Sequence, residues 1–402
     1  MKKKVMCVFG TRPEAIKMAP VVLEFMKYQD DFKCIVVVTA QHRQMLDQVL
    51  NLFEIKPDYD LNIMSDGQTL KTVTILILEG LEKIFVLENP DLILVHGDTT
   101  TAFAASLAAF YKKIPIGHVE AGLRSFDMWN PYPEEFNRRM VDLVCHLHFA
   151  PTVLAEKNLL RESISSNGIF ITGNTGIDAL KLGIQKIESG YFSGIDTSLI
   201  RLAKEKFILI TAHRRENFGQ PLMDFCNAIK KLALERSSLH FIYPVHMNPN
   251  VKNPVKNILS GIFNIHLLEP LDYPNFIFLM KNAFFVVTDS GGLQEEAPAL
   301  GKPVLVLRKV TERPEAVDAG TVKIIGTETE IVYQWMAQLL DDSDLFMQMA
   351  NAVNPYGDGK AAQRTIGAVR YFYSMQNLRP PSFSYEVALD NPSKVDPSVK
   401  AV

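Results

Sequence analysis

The sequence predicts an α/β protein made of two doubly wound domains. Short apolar runs rich in Val, Ile and Phe alternate with longer segments of helical period. Unbroken apolar runs of this length suit strands that are covered on both faces, as in a parallel sheet with helices above and below. The same alternation occurs in both halves of a 402-residue chain, which is too long for one typical core. The sequence therefore predicts two domains, both of the doubly wound α/β class.

Nine apolar runs are predicted as strands, and a polar stretch separates the sixth from the fifth. The domain boundary is predicted between Gly173 and Lys206, which gives a first domain over residues 1–180 and a second over 200–360. A helix is predicted over about 361–378. Pro, Ser and Asp dominate residues 380–402, which predicts an extended or disordered tail. The predicted strands are residues 5–9, 34–39, 91–96, 114–119, 169–172, 207–212, 239–245, 284–288 and 303–307.

Composition and charge exclude several functional classes. The chain is 47% hydrophobic and 22% charged, which is ordinary for a soluble enzyme. A net charge of −3 gives no electrostatic case for a nucleic acid or membrane partner. No apolar run approaches the roughly 18 residues needed to cross a bilayer, so a cytoplasmic location is expected. The four cysteines are far apart and form no C-x-x-C pair, so reduced thiols and no metal site are expected.

The segment from Gly10 to Pro20, GTRPEAIKMAP, follows the first predicted strand. It leads into a helical segment over 21–28, and a strand, a glycine turn and a helix together make a seat for an anion. Arg12 and Lys17 would add positive charge to that seat. The alternative is a turn that carries a solvated Arg and Lys.

Three acidic residues lie close to strand ends in the first half. Asp98 stands in HGDTTT directly after a strand, where α/β proteins place ligand groups, although Asp or a following Thr could simply cap the next helix, 102–111. Glu120, in GHVEAGLR, would project toward the same crevice or pair with Arg124. Glu134, in PEEFNRR, could pair with Arg138 at i,i+4. Acids on neighbouring strand-end loops make a plausible general acid/base set.

The second half carries groups suited to an anionic ligand. His213 follows a strand end together with Arg214 and Arg215, and this group could contact a diphosphate or protonate a leaving oxygen. Another strand ends at Thr288 and is followed by Asp289-Ser290-Gly291-Gly292.

The Ser-Gly-Gly turn would bring backbone amides close to phosphate oxygens. Glu296 lies one turn further on, at the right depth for ribose hydroxyls, and Arg313 follows the next strand end. No GxGxxG stands in a βα turn, so NAD is not indicated.

These motifs together, in this order, resemble the non-hydrolysing UDP-N-acetylglucosamine 2-epimerases, over about residues 4–373. The resemblance implies the glycosyltransferase-B architecture, in which two Rossmann-like domains face a central cleft and a C-terminal helix returns to the first domain. It also implies interconversion of UDP-GlcNAc and UDP-ManNAc without a cofactor, through loss of the C2 proton, departure of UDP to leave a 2-acetamidoglucal, and re-addition. The quoted motifs are GTRPEAIKMAP, VHGDTTT, GHVEAGLR, PEEFNRR, GNTGIDAL, HRREN, TDSGGLQEEAP, GKPVLVLR and TERPEAV.

The resemblance also implies roles for single residues. Asp98, Glu120 and Glu134 look like the acid/base carboxylates and His213 like the catalytic histidine. A homodimer and a supply of ManNAc for cell-surface polysaccharide are implied as well. The implied substrate-binding residues are Arg12, Lys17, Arg138, Phe276, Ser290, Gly291, Gly292, Glu296 and Arg313.

Some family members bind a second UDP-GlcNAc as an allosteric activator beside a QHR segment, which makes Gln41, His42 and Gln44 candidate allosteric residues here. Gly67 replaces an Arg of those members, which counts against such activation.

Three other activities fit the same fold. A glycosyltransferase would use the same UDP seat, a hydrolysing variant would release ManNAc and UDP, and a UDP-sugar sensor would bind without turnover. The presence of all three acids favours the epimerase. Which carboxylate takes the C2 proton does not follow from sequence.

Overall fold

The structure, a computed structural model, describes residues 2–40, 43–65, 67–311 and 313–385. The described residues form two parallel β-sheets with helices packed on both faces. This is the predicted α/β fold, in the glycosyltransferase-B arrangement of two Rossmann-like units.

The first sheet has seven strands in the order β3-β2-β1-β4-β5-β6-β7. Its central strands are apolar and fully buried because helices cover both of their faces. The strands are β1 Lys3–Phe9, β2 Phe32–Val38, β3 Tyr59–Asp60, β4 Leu92–His96, β5 Ile116–Val119, β6 Leu147–Ala150 and β7 Ile169–Ile171.

The second sheet has six strands in the order β10-β9-β8-β11-β12-β13. All pairings in both sheets are parallel. The strands are β8 Phe207–Thr211, β9 His240–Pro244, β10 Ile265–Leu268, β11 Phe285–Thr288, β12 Val304–Val306 and β13 Val322–Ile324.

Sixteen α-helices connect and cover the strands within the described ranges. The first begins at Arg12, so most of GTRPEAIKMAP is helix and not a turn before one. They are α1 Arg12–Phe25, α2 Arg43–Phe53, α3 Leu70–Glu88, α4 Thr100–Tyr111, α5 Glu134–Val144, α6 Val153–Arg161, α7 Thr175–Glu188, α8 Thr197–Leu202, α9 Gln220–Glu235, α10 Pro249–Leu259, α11 Tyr273–Asn282, α12 Gly291–Glu296, α13 Pro314–Asp318, α14 Thr329–Asp341, α15 Ser343–Ala350 and α16 Ala361–Phe372.

All nine predicted strands are present, with ends that shift by one or two residues. Four more were missed: β3, β6, β10 and β13. Each is four residues long or shorter, and a His or Lys interrupts β6, β10 and β13, so their apolar runs are too short to signal a strand.

Helix α16 packs against α1 and so returns the chain to the first sheet. Asp178 on α7 accepts the first amides of α16, from Ala361 and Ala362, at 3.2 and 2.9 Å. Helix α16 ends at Phe372, six residues before the predicted end. Beyond it, Phe383 is buried and its N–H donates to the Ile171 carbonyl at 2.8 Å, which attaches the start of the predicted tail to β7.

Each sheet has one point where the chain reverses its direction of winding, between β1 and β4 in the first sheet and between β8 and β11 in the second. Ligands of open α/β sheets bind outside the carboxyl ends of the strands at such points. Four of the polar motifs, GTRPEAIKMAP, HGDTTT, HRREN and TDSGGLQEEAP, begin at or within two residues of the ends of these four strands. No α-helix in the described ranges combines the length and apolarity that crossing a bilayer requires.

Candidate active site

The loops after β1 and β4 are fastened to each other by a buried carboxylate. Glu14 accepts the amides of Gly10 and Thr11 at 3.0 and 2.8 Å, and its other oxygen accepts the Thr99 hydroxyl at 2.6 Å. A Cβ at Gly10 would overlap with the Thr39 hydroxyl, so this glycine is required by packing. The glycine turn is therefore structural, and Glu14 was not predicted.

Helix α4 is capped by Thr99 and not by Asp98. The Thr99 hydroxyl accepts a hydrogen bond from the Ala102 amide at 3.1 Å. Of the two predicted capping residues, Asp98 and a following Thr, the Thr is therefore the cap. The Asp98 carboxylate instead forms an ion pair with Arg138 of α5. The Asn137 amide donates to the Asp98 carbonyl at 2.9 Å, which fixes this loop against α5.

The alternative pair between Glu134 and Arg138 is wrong. Arg138 binds Asp98 and, at 3.2 Å, Glu135, which lies one helical turn before it. Glu134 is the first residue of α5 and is half-buried. Its carboxylate is therefore not neutralised by Arg138.

Glu120 stands in a left-handed backbone conformation, with φ +68°, directly after β5. Such a conformation in a residue other than glycine is uncommon and often marks a functional site. The carboxylate forms an ion pair with Lys17 and accepts from the Asn174 amide at 3.1 Å, and the His96 ring nitrogen lies 3.6 Å away. Burial would raise the pKa of Glu120, but Lys17 and His96 lower it well below its usual value.

The alternative pair between Glu120 and Arg124 is also wrong. Arg124 turns away from the cleft and binds Asp142 at 2.8 Å and Glu162 at 2.7 Å. The buried His118 ring bridges Asp142, at 2.6 Å, and the carbonyl of Gly97, at 2.7 Å. This internal cluster supports the loop that precedes Asp98.

Asp289 organises the loop after β8 on the opposite sheet. One of its oxygens accepts the amides of His213 and Arg214, at 2.9 and 2.8 Å, and the Asn217 side chain at 3.0 Å. The other lies 3.6 Å from the His213 ring, whose side chain is 40% exposed. Partial burial lowers the pKa of His213; Asp289 opposes this effect, and His246 and Arg214 add to it.

The Ser290-Gly291-Gly292 turn has unfilled space beside its two glycines. Ser290 precedes α12, and its N–H donates to the Thr288 hydroxyl at 2.9 Å. A Cβ at Gly292 would meet nothing within 4 Å, and one at Gly291 would meet only Arg214, at 3.8 Å. Packing within the described residues therefore does not explain these two glycines, whereas a ligand lying against their amides would.

Helix α12 ends with two carboxylates that behave differently. Glu295 is buried and forms an ion pair with Arg313. Burial raises the pKa of Glu296 to about 7, with Glu295 and Glu120 raising it and Lys17 and Arg12 opposing them. The structure thus brings the predicted Arg12, Lys17 and Glu296 within electrostatic reach of one another.

Contacts between Glu120, Lys17, Asn174, Glu295 and Arg313 join the two sheets. The Asn174 amide donates to Glu120 and, at 2.6 Å, to Glu295. Burial would lower the pKa of Lys17, but Glu120 and Glu295 outweigh it and raise that pKa. The two predicted half-sites therefore meet in one polar network.

The remaining predicted residues either make no hydrogen bond to this network within the described part of the chain or lie outside it. Arg12 begins α1, and no hydrogen bond or ion pair engages its guanidinium within the described ranges. Phe276 lies on α11, half-buried. Of the candidate allosteric residues, Gln41 and His42 lie outside the described residues, as does the side chain of Gln44, which belongs to α2.

Sequence reasoning missed Glu14, Asn174, Asp289 and Glu295 as site residues. Each stands inside a quoted motif, within two residues of a motif glycine or of a predicted ligand-binding residue. Their position inside these motifs was the signal in the sequence that could have identified them as site residues.

The UDP-N-acetylglucosamine 2-epimerase family model matches residues 25–370. The UDP-N-acetylglucosamine 2-epimerase of Bacillus subtilis (strain 168) is 51% identical over 385 residues, which cover 96% of this chain and all of that protein. A crystal structure from Listeria monocytogenes superposes with a TM-score of 0.89 at 47% identity, covering 96% of this chain and all of that one.

A Neisseria meningitidis UDP-GlcNAc 2-epimerase, solved bound to UDP-GlcNAc, superposes with a TM-score of 0.80 at 49% identity and covers 91% of this chain and 99% of its own. Both structures extend over the two sheets and the cleft between them. The chain therefore belongs to the UDP-N-acetylglucosamine 2-epimerase family.

Proposed function

We propose that this protein interconverts UDP-GlcNAc and UDP-ManNAc as a non-hydrolysing epimerase, without a cofactor. The observation that carries the proposal is the polar network in which Asn174 joins Glu120 and Lys17 of the first sheet to Glu295 and Arg313 of the second. The family membership and the UDP-GlcNAc bound to the meningococcal relative support the choice of substrate.

The second sheet supplies the groups for UDP. A diphosphate against Gly291 and Gly292 would accept backbone amides that no side chain blocks. Arg214 lies beside this turn, and His213 is exposed close by, where it can hydrogen-bond the departing diphosphate oxygen. Glu296 is placed to accept ribose hydroxyls, and Phe276 to pack against the base. Lys17 and Arg12 approach the ligand from the first sheet.

The first sheet supplies acid/base chemistry at C2 of the sugar. A carboxylate removes the C2 proton while the C1–O bond breaks, so that the electron pair forms the C1–C2 double bond and UDP leaves. UDP then returns to C1 as a proton is delivered to the opposite face of C2. Glu120 is proposed as the base because Lys17 and His96 lower its pKa and so favour the ionised form. Glu134, which forms no ion pair within the described residues, is proposed to return a proton.

A second copy of this chain is proposed to cover an apolar patch on the first half, giving a homodimer. Adjacent helices α3, α4 and α5 expose large apolar side chains at their carboxyl ends, each more than half exposed. Exposed apolar patches of this kind mark interaction sites. The residues are Val86, Leu87, Phe110, Tyr111 and Leu143.

The dimer proposal is tested by molar mass in solution. Wild type should have twice the chain mass of 45.2 kDa. Phe110→Asp should be a monomer with an unchanged circular dichroism spectrum, whereas Phe263→Asp, which alters a still more exposed ring on the second half, should remain a dimer. A dimeric Phe110→Asp would remove this patch as the interface.

The activity is tested by incubating the protein with UDP-GlcNAc in D2O without NAD or an acceptor. We expect UDP-ManNAc that carries deuterium at C2. Stoichiometric UDP and free ManNAc would indicate a hydrolase instead, and absence of turnover would favour a transferase or a sensor. In the cytoplasm the product would supply ManNAc units for cell-surface polysaccharide.

A further inference from the structure

Asn174 connects a carboxylate of one half of the molecule to a carboxylate of the other. Its side-chain nitrogen lies 3.1 Å from a Glu120 oxygen and 2.6 Å from a Glu295 oxygen. An amide nitrogen carries two hydrogens, one for each of these acceptors. Asn174 is also buried, so both hydrogen bonds form away from water.

The orientation of this amide is fixed by the helix that it caps. The Asn174 side-chain oxygen accepts the Gly176 amide at 2.8 Å, at the start of α7. Its own backbone N–H donates to the Tyr356 carbonyl at 2.7 Å. Because the oxygen is held by the helix, the NH2 group must face the two carboxylates.

Each carboxylate is also held by a cation from its own half. Lys17 pairs with Glu120, and Arg313 pairs with Glu295. The Asn354 side chain donates to the Glu295 backbone carbonyl at 2.8 Å, which restrains Glu295 further. The Asn174 side chain, which is uncharged, therefore links the Lys17–Glu120 ion pair of one half to the Arg313–Glu295 ion pair of the other.

We propose that Asn174 is a positioning residue, which aligns Glu120 at the sugar with the half of the protein that binds UDP. The inference rests on the proposed function, because it gives Glu120 a place at C2. The role proposed for the amide is to orient Glu120, not to react with the sugar. The amide acts by holding the catalytic carboxylate in register with Glu295 and Arg313 across the cleft.

The substitution Asn174→Asp separates this role from a structural one. Asp is as good a helix cap as Asn, so α7 keeps its first turn. The donor end, however, becomes an oxygen that faces two carboxylates. A carboxyl placed there has a raised pKa because both neighbours are negative. Protonation removes the repulsion and restores one donor.

Asn174→Ser is the uncharged counterpart. Its hydroxyl can still cap α7, but the shorter side chain does not reach Glu120 and Glu295. The charged groups around this position are Glu120, Lys17 and His96 from the first half and Glu295, Glu296 and Arg313 from the second. They titrate in wild type as well, so each variant is compared with wild type at the same pH.

The experiment measures kcat, KM and UDP affinity for both variants between pH 6 and 8. The loss of hydrogen bonds to charged groups predicts a kcat about 10- to 100-fold below wild type, with KM and the Kd for UDP within about threefold. The kcat ratio of Asn174→Asp to wild type should rise as the pH falls. The ratio for Asn174→Ser should stay constant.

Asn282→Asp serves as the control, because it alters an exposed amide that donates only to the Phe278 carbonyl of its own helix. It should match wild type at every pH. A wild-type kcat in Asn174→Asp, or a loss without recovery in acid, would overturn the inference. Failure of the proposed function would look different, because wild type itself would then incorporate no deuterium at C2.

Discussion

The two sides of the cleft are built in opposite ways. On the acid side, formed by Asp98, Glu120 and Glu134, two of the three carboxylates already have cationic partners from the protein. On the basic side, formed by His213, Arg214, Arg215 and Ser290–Gly292, no hydrogen bond or ion pair engages either guanidinium within the described residues.

The carboxylates Asp98 and Glu120 on the acid side are already paired without substrate. The cationic groups on the basic side would gain their partners from the substrate. Internal pairing holds Asp98 and Glu120 in place before any ligand arrives, which suits groups that must be aligned for proton transfer. Free guanidinium groups and unobstructed amides suit a ligand that brings its own negative charge. Chemistry should therefore depend on one side and affinity on the other.

The largest expected effect comes from neutralising the acid side. Glu120→Gln and Asp98→Asn should each lower kcat about 10³-fold, since a positioned acid or base contributes on that order. UDP affinity should change less than about threefold, because these residues face the sugar. Steady-state kinetics and calorimetric titration with UDP give both numbers. Near-normal turnover in either variant would remove that residue from the catalytic set.

Removal of a cation from the basic side should give the reverse pattern. Arg214→Ala is expected to weaken UDP binding about 10- to 100-fold, the loss of a charge-assisted hydrogen bond. Its kcat at saturating substrate should fall much less. The control is Lys252→Ala, because Lys252 contacts the exposed residues Met247 and Glu269. This variant should bind UDP like wild type.

The glycines of the two sides offer a finer comparison. Gly292→Ala should leave the melting temperature unchanged and raise KM about five- to tenfold, because its Cβ would meet only the ligand. Gly10→Ala should instead destabilise the fold by about 1–3 kcal/mol, since its Cβ would overlap with Thr39. Thermal melts and kinetics on both variants decide this. A destabilised Gly292→Ala would show that packing, and not ligand, selects that glycine.

The smallest expected effect is a change in pH dependence. The pKa of Glu296 in the folded protein is about 7, above the ordinary value of 4.5 for a glutamate side chain. Between those values the folded state binds more protons than the unfolded state, so this group makes stability fall as the pH rises from about 4.5 to about 7. Glu296→Gln removes this contribution. Urea unfolding at pH 5 and pH 8 should show a larger gain in stability of the variant relative to wild type at pH 8 than at pH 5. An equal difference at both would contradict the shift.

The sequence was sufficient to predict the fold and to place the polar motifs at strand ends. Continuous apolar runs such as residues 207–212 identify buried parallel strands, and parallel strands place their carboxyl ends at one edge. Because of that rule, Asp98, Glu120 and the Ser290–Gly292 turn could be assigned to a cleft without coordinates.

The partners of these residues could not be predicted in the same way. The local choices of Arg124 for Glu120 and of Glu134 for Arg138 were wrong, because Lys17 and Asp98 come from distant loops. Asn174 contacts Glu295, which is 121 residues away in sequence. Such contacts cannot be predicted from residue spacing along one helix or strand, because they depend on how the two sheets pack against each other.

The most direct test of the division between the two sides compares Glu120→Gln and Arg214→Ala in one pair of measurements. The first is the Kd for UDP, and the second is C2 deuterium incorporation in D2O at saturating UDP-GlcNAc. We predict wild-type affinity with almost no deuterium for Glu120→Gln, and weakened affinity with substantial deuterium for Arg214→Ala. Parallel losses of binding and exchange in both variants would contradict the division of the cleft into a catalytic side and a binding side.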